Sequence, residues 1–182
     1  MRLRMTGIFC VGVFAAGCLS SSSNSVLEGG SSNQSVSIRE HPQRGAVRGS
    51  QTELVLDVLD EYMDALNDLD MERHVGTYHF PHYRHASGKI VIWDSPREAM
   101  PILDVPVAQR REAIRGALEP DWDRSEWTVR EIVQAGPGKV HVTTQFVRLR
   151  YDGSVIKTFD SLYVLTLENG RWGIRGRSSF AP

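Results

Sequence analysis

From Glu126 to Phe180 the chain alternates apolar and polar residues, EWTVREIVQAGPGKVHVTTQFVRLRYDGSVIKTFDSLYVLTLENGRWGIRGRSSF, and breaks only at AGPGK, YDG and ENGR. A period of two places successive side chains on opposite faces of a strand, and the breaks carry the residues that close hairpins. Four consecutive antiparallel strands follow from this pattern. Upstream, TELVLDVLDEYMDALNDLD repeats apolar residues at three and four: Leu54, Val55, Val58, Leu59, Tyr62, Ala65, Leu66 and Leu69. That spacing predicts a helix, with Thr52 as its cap. A second helix, MERHVGTY, turns Val75 and Tyr78 inward and stops before Pro81. A turn at Ser87-Gly88 leads into a β-rich run, Ile90 to Trp93, and SPREAMPILDVPVAQRREAIRGAL is a helical region broken by Pro101 and Pro106. Helices followed by a meander define an α+β domain over residues 51–182: a curved antiparallel sheet with helices packed on one face.

The 50 residues at the start obey other rules. MRLR is cationic, and MTGIFCVGVFAA is an apolar run of about 12 residues, too short to span a ~30 Å hydrocarbon core as a helix. It ends in AAGC, which resembles a bacterial lipobox, with Ala15 where Leu is usual. Residues 1–17 therefore read as a lipoprotein signal peptide, and Cys18 as the acylated (palmitate-bearing) N-terminus of the mature chain. Cleavage there discards Cys10 and leaves one cysteine, so no disulfide can form within the chain. Several acyl chains on Cys18 would suffice for stable anchoring. Residues 18–50 are rich in Ser, Gly and Asn and bury too little to fold, so they read as a flexible tether in which His41 needs no role. The expected location is the bacterial cell envelope. Leu19 and Ser20 lack the aspartate of inner-membrane retention, which favours the outer membrane; an ordinary secretory signal, and a secreted or periplasmic protein, is the alternative.

Charge divides along the same boundary. Residues 1–50 carry five Arg against two Glu, whereas residues 51–182 carry 16 basic and 20 acidic side chains. A mildly acidic domain offers no basic surface to a phosphate backbone, and nucleic acid is excluded as a partner. The domain holds no G-x-S-x-G, no cysteine nucleophile, no G-x-G-x-x-G and no P-loop, so acyl transfer and nucleotide chemistry lack their parts.

The segment YHFPHYRHASGKI contains three histidines. On a helix His79, His82 and His85 would share a face, but Pro81 interrupts it. On a strand His79 and His85 share parity and His82 points the other way, which opposes a three-histidine metal site. No metal is assigned. His85, with an imidazole that exchanges protons near neutrality, is the base candidate or else lines a pocket. His82 faces solvent or a neighbouring helix, and His74 the surface. His141, Thr143 and Gln145 form a polar row on one strand, lining either a concave face or solvent. Trp93 reads as core or cavity wall, Asp94 before SPRE as a helix cap, and Trp122 and Trp127 as packing between helix and sheet. In RWGIRGR, Arg171, Arg175 and Arg177 share one parity against Trp172 and Ile174; the row is a solvated face or an anion site. Ligand-lining candidates are His79, Trp93, His141 and Gln145.

EYMDALNDLDMERHVGTY and LYVLTLENGRWGIRGRSSF are similar to the opening helices and last hairpin of the NTF2-like superfamily, which includes ketosteroid isomerases, scytalone dehydratase and SnoaL-type cyclases. The resemblance implies a cone-shaped fold over residues 52–180. It sets Tyr62 where the isomerase has its oxyanion-donating tyrosine. It sets His85 where that enzyme has its base aspartate, and Tyr163 at its second donor, a protonated aspartate. Two of those three positions depart from the isomerase pattern. Two function classes follow. One is a binding module for a small apolar or amphipathic ligand or a protein partner, with a homodimer through the sheet. The other is a cofactor-free acid–base isomerase, dehydratase or cyclase using His85, Tyr62 and Tyr163.

Overall fold

The computed structural model describes residues 50–180; the signal-like segment, His41 and Cys18 lie outside them. Helix α1 (Gln51–Asn67) and helix α2 (Met71–Gly76) precede a hairpin of β1 (Tyr78–Ala86) and β2 (Lys89–Trp93). Helix α3 (Pro96–Ala99), a 3-10 turn (Pro101–Asp104) and α4 (Val107–Ala117) lead to β3 (Trp122–Gly136), β4 (Lys139–Arg150), β5 (Val155–Glu168) and β6 (Arg171–Ser179). One six-stranded sheet runs β2-β1-β6-β5-β4-β3. The four-strand meander is antiparallel throughout, as the alternation requires. The whole sheet is mixed, not antiparallel, because β1 joins the free edge of β6 in parallel. Alternation marks strands and turns but not the edge that an earlier strand joins.

The helix starts shift by one or two residues from expectation. Ser50, not Thr52, caps α1: its hydroxyl accepts from the Glu53 amide at 3.3 Å, and the Glu53 carboxylate accepts from the Ser50 amide at 2.7 Å. This reciprocal pair satisfies two donors at once, which Thr52, already in the first turn, could not do. Ser95, not Asp94, caps α3, with Pro96 at the first helical position.

α1 lays Val55, Leu59 and Tyr62 on the sheet, against Val140, Val142, Tyr163, Leu165, Trp172 and Ile174. Full burial of each aliphatic chain here contributes roughly 1.5–3 kcal/mol. A second core gathers Leu69, Met71 and Val75 with Ile102, Leu103, Ile114 and Trp122 beneath α2, the 3-10 turn and α4. Between the two, the Asn67 side chain closes α1 onto β3, donating to the Ser125 carbonyl at 2.9 Å and accepting from its amide at 2.8 Å. The helix-covered face of the sheet thus carries an apolar patch at each end, and Tyr78 packs against both.

Candidate functional site

Strand parity assigns the remaining side chains to one face or the other except where a bulge shifts the register, and one such bulge shapes the site. Val164 pairs with Gly176 and Leu165 with Ile174, so Arg175 is an extra, unpaired residue in β6. Such a bulge reverses the alternation beyond it. Arg177 therefore turns to the helix-covered face, with Trp172 and Ile174, instead of lying in one row with Arg171 and Arg175. There it donates to the Tyr62 hydroxyl at 2.8 Å and to the Tyr163 hydroxyl at 3.2 Å, and sits over the Tyr163 ring. Its register partner on β1 is Arg84. Tyr62 and Tyr163 meet edge to face at 5.7 Å, Trp127 packs on both rings, and its indole donates to the Leu59 carbonyl at 3.2 Å. Burial raises the Tyr163 and Tyr78 phenols far above their ordinary value, so both stay neutral. Burial first, and then the neighbouring Arg177, lower the pKa of Arg84. At Arg177 burial also opposes the charge, but the oxygens of Tyr62, Tyr163 and Tyr78 outweigh it and raise its pKa.

Two histidines brace this cluster: His74 corrects the surface position expected for it, and His82 takes the helix-facing alternative over the solvent one. His74 is buried, its ring tilted against that of Tyr62 with centroids 4.1 Å apart, because α2 folds back along α1. Its Nδ1–H donates to the Tyr62 carbonyl at 2.9 Å, and its Nε2 stands 3.3 Å from the Tyr78 hydroxyl. His82 is buried too, its Nδ1–H donating to the Ile174 carbonyl at 2.9 Å beside the bulge. It lies between Tyr78, 4.0 Å away, and Trp93, 5.8 Å away, in one stacked row. Burial pushes both imidazoles down to about 4, so both are neutral near pH 7.

The outer face holds the rest. His79 packs over Gly173, where any Cβ would stand 2.7 Å from Nε2. Its Nδ1 meets the Thr166 hydroxyl at 3.0 Å, and Thr166 donates to Glu168 at 2.6 Å. Burial, with Arg171 next, lowers the pKa of His79, opposed by Glu168. Arg175 pairs with Glu168 and donates to the Pro81 carbonyl at 2.9 Å, while Arg171 donates to the Gly76 and Tyr78 carbonyls, each at 2.9 Å. A cleft of about 350 Å³ lies at this rim, lined by His79, Glu168 and Arg171 among others, and a groove of about 450 Å³ runs between α1, α2 and the start of β6. His141 and Gln145 are also on the outer face, since their register partners Val164 and Asp160 alternate with the inward Tyr163 and Ser161. Gln145 donates to Asp160 at 2.9 Å and accepts from Thr128 at 2.8 Å.

Of the residues assigned from the resemblance, Tyr62 and Tyr163 come together and His85 does not join them. His85 pairs with Ile90 and Ser178 and projects, exposed, from the outer face, because it is one residue out of phase with Arg84. The three histidines divide as strand parity requires. Among the described residues no three His, Cys, Asp or Glu side chains group as a metal site would. Of the four ligand-lining candidates, only Trp93 is on the helix-covered side. Arg84 goes unnoticed in the sequence, His74 and His82 are named there without a role at the site, and Arg177 is grouped there with Arg171 and Arg175 in one row. Arg84 was legible, since it shares the parity of His82; Arg177 was hidden by the bulge.

Residues 52–179 match the family model of NTF2-like protein (DUF6841). The chain belongs to this family. No curated protein matches it. Among solved structures, an NTF2-like protein of unknown function from Shewanella oneidensis is similar at 16% identity and TM-score 0.55, over 72% of this chain and 99% of that one. An NTF2-like protein from Cytophaga hutchinsonii is similar at 17% identity and TM-score 0.52, over 74% and 100%. A cystatin-like protein of unknown function from Nostoc punctiforme gives 11% and 0.54, over 72% and 90%. These likenesses establish the NTF2-like cone and leave chemistry to the chain's own residues.

Proposed function

We propose that this NTF2-like domain is a binding module that takes a small amphipathic molecule on the helix-covered face of its sheet. One observation carries the reading. Tyr62 and Tyr163, at the margin of the first apolar core, gather at a partly buried Arg177, while His85 projects from the opposite face. Polar groups converging among aromatic walls are what a small-ligand site needs, and the base of an acid–base enzyme is missing from them. Trp93 and Trp127 flank the cluster, so tryptophan fluorescence of the full chain, titrated with alkanols from butanol to dodecanol and with the matching alkanoates, reports occupancy. Saturable quenching that Tyr163→Ala weakens supports the reading; no saturable response to any member contradicts it. The isomerase, dehydratase or cyclase alternative would return only with a turnover that His85→Asn abolishes while ligand affinity survives.

The module would hang from the envelope membrane by acylated Cys18, through the tether of residues 18–50. Metabolic labelling with an alkynyl palmitate, lost in Cys18→Ser, tests that anchor. A homodimer through the sheet has support at β2, an edge strand whose Ile90 and Ile92 are 69% and 63% exposed. Sedimentation of Ile92→Lys against the parent chain tests it.

A further inference from the structure

We infer that the ligand of this site carries an anionic head group, a carboxylate or an equivalent oxyanion, held between Arg84 and Arg177. The inference rests on the binding reading above and names the chemistry of its polar end.

Arg84 and Arg177 are opposite one another on β1 and β6, on the same face, and each is only partly exposed. No Asp or Glu forms an ion pair with either among the described residues. Two like charges side by side, partly removed from water, repel each other and lose hydration. The tyrosine oxygens offset the burial of Arg177, but among the described residues no hydrogen bond or ion pair does the same for Arg84. Arg177 reaches hydroxyl oxygens and no carboxylate among the described residues, and the neutral His82 and His74 behind them add no negative charge. The fold also goes out of its way to make this arrangement. Without the extra residue Arg175, Arg177 would face outward and Arg84 would be alone.

A second observation points into the same place. Ser161 is 4% exposed, shares the helix-covered face with Tyr163, and is the next residue on that face along β5 from the Tyr163–Arg177 pair. Its hydroxyl has no hydrogen-bond partner among the described residues. Buried hydroxyls are rarely left unpaired, and a polar ligand atom supplies what is missing. Two guanidinium groups matched to two carboxylate oxygens, with phenol and serine hydroxyls beside them, make a charge-assisted site. The apolar body then lies against the aromatic row of Tyr78, His82 and Trp93 and against Val91, which pairs with Arg84 on β2.

Matched pairs of alkanoate and alkanol, from butanoate and butanol to dodecanoate and dodecanol, separate head group from tail. Calorimetric titration of the full chain at neutral pH is expected to give at least about tenfold tighter binding of the acid in each pair that binds. Added salt should narrow the gap. Arg84→Met should erase the preference while raising the melting temperature of the ligand-free protein, because it removes an uncompensated charge. A merely structural Arg84 would lower that temperature. Acid and alcohol binding equally would overturn the anionic head and leave the binding reading intact. Binding of neither would overturn both. A preference that survives both Arg84→Met and Arg177→Gln would also overturn the assignment.

Discussion

The last strand sends arginines of opposite character to its two faces, and the bulged Arg175 marks the change of phase. On the outer face, Arg171 and Arg175 are fully engaged: three backbone carbonyls and the Glu168 carboxylate receive their donors. On the helix-covered face, Arg177 and its neighbour Arg84 pair with no carboxylate among the described residues, and Arg177 donates to the hydroxyls of Tyr62 and Tyr163. The outer cluster is complete as it stands and ties β1, β5 and β6 together. The inner one is a pair of cations awaiting a counter-charge. Arginine count and spacing alone do not distinguish these roles; the phase of the strand does.

The largest expected effect is a pH dependence carried by the two buried histidines of the helix-covered face. His74 and His82 are held neutral, with pKa values near 4 against 6.5 in the unfolded chain. Between those values the unfolded chain binds protons that the folded one refuses, so stability falls as pH drops from 6.5 towards 4. The loss is up to about 3 kcal/mol for each, at roughly 1.4 kcal/mol per pH unit. Urea midpoints at neutral pH and near pH 4.5 should show it, and the double variant His74→Gln, His82→Gln should flatten the curve. A parent curve as flat as that variant's would break the comparison at its inner side.

Glu168→Gln comes next. It strips the outer cluster of its one carboxylate and should cost about 1 kcal/mol, a third-exposed pair being screened by water, with alkanoate binding unchanged. Arg84→Met should move the other way, stabilising the ligand-free chain by about 1 kcal/mol, as removal of an unpaired buried charge does. Opposite signs in thermal unfolding for these two variants are the sharpest statement of the contrast. His85→Asn is the smallest, within about 0.5 kcal/mol and without effect on binding, since the side chain is exposed.

The fold was legible because hydrophobic period is a local property. The meander, its three turns and the α1 face from Val55 to Tyr62 all follow from spacing. The parity rule also separated His82 from His79 and His85. Legibility ended where a local rule needed a tertiary fact. The inversion at Arg175 depends on a single unpaired residue, and RWGIRGR alternates as smoothly with a bulge as without one. His74 reads as a surface residue on its short, charged helix until α2 folds against Tyr62. The sequence could bring Tyr62 and Tyr163 together only through resemblance, and the same resemblance set His85 beside them, one residue out of phase with the face they share.

On this reading an anion binds at Arg84 and Arg177, and not at Arg171 and Arg175. Arginine Nε–Hε resonances, assigned by single substitutions and followed while octanoate is added to the full chain, test it most directly. The signals of Arg84 and Arg177 should move to saturation together while those of Arg171 and Arg175 stay in place. Movement of the outer pair instead, or of all four alike, would contradict it.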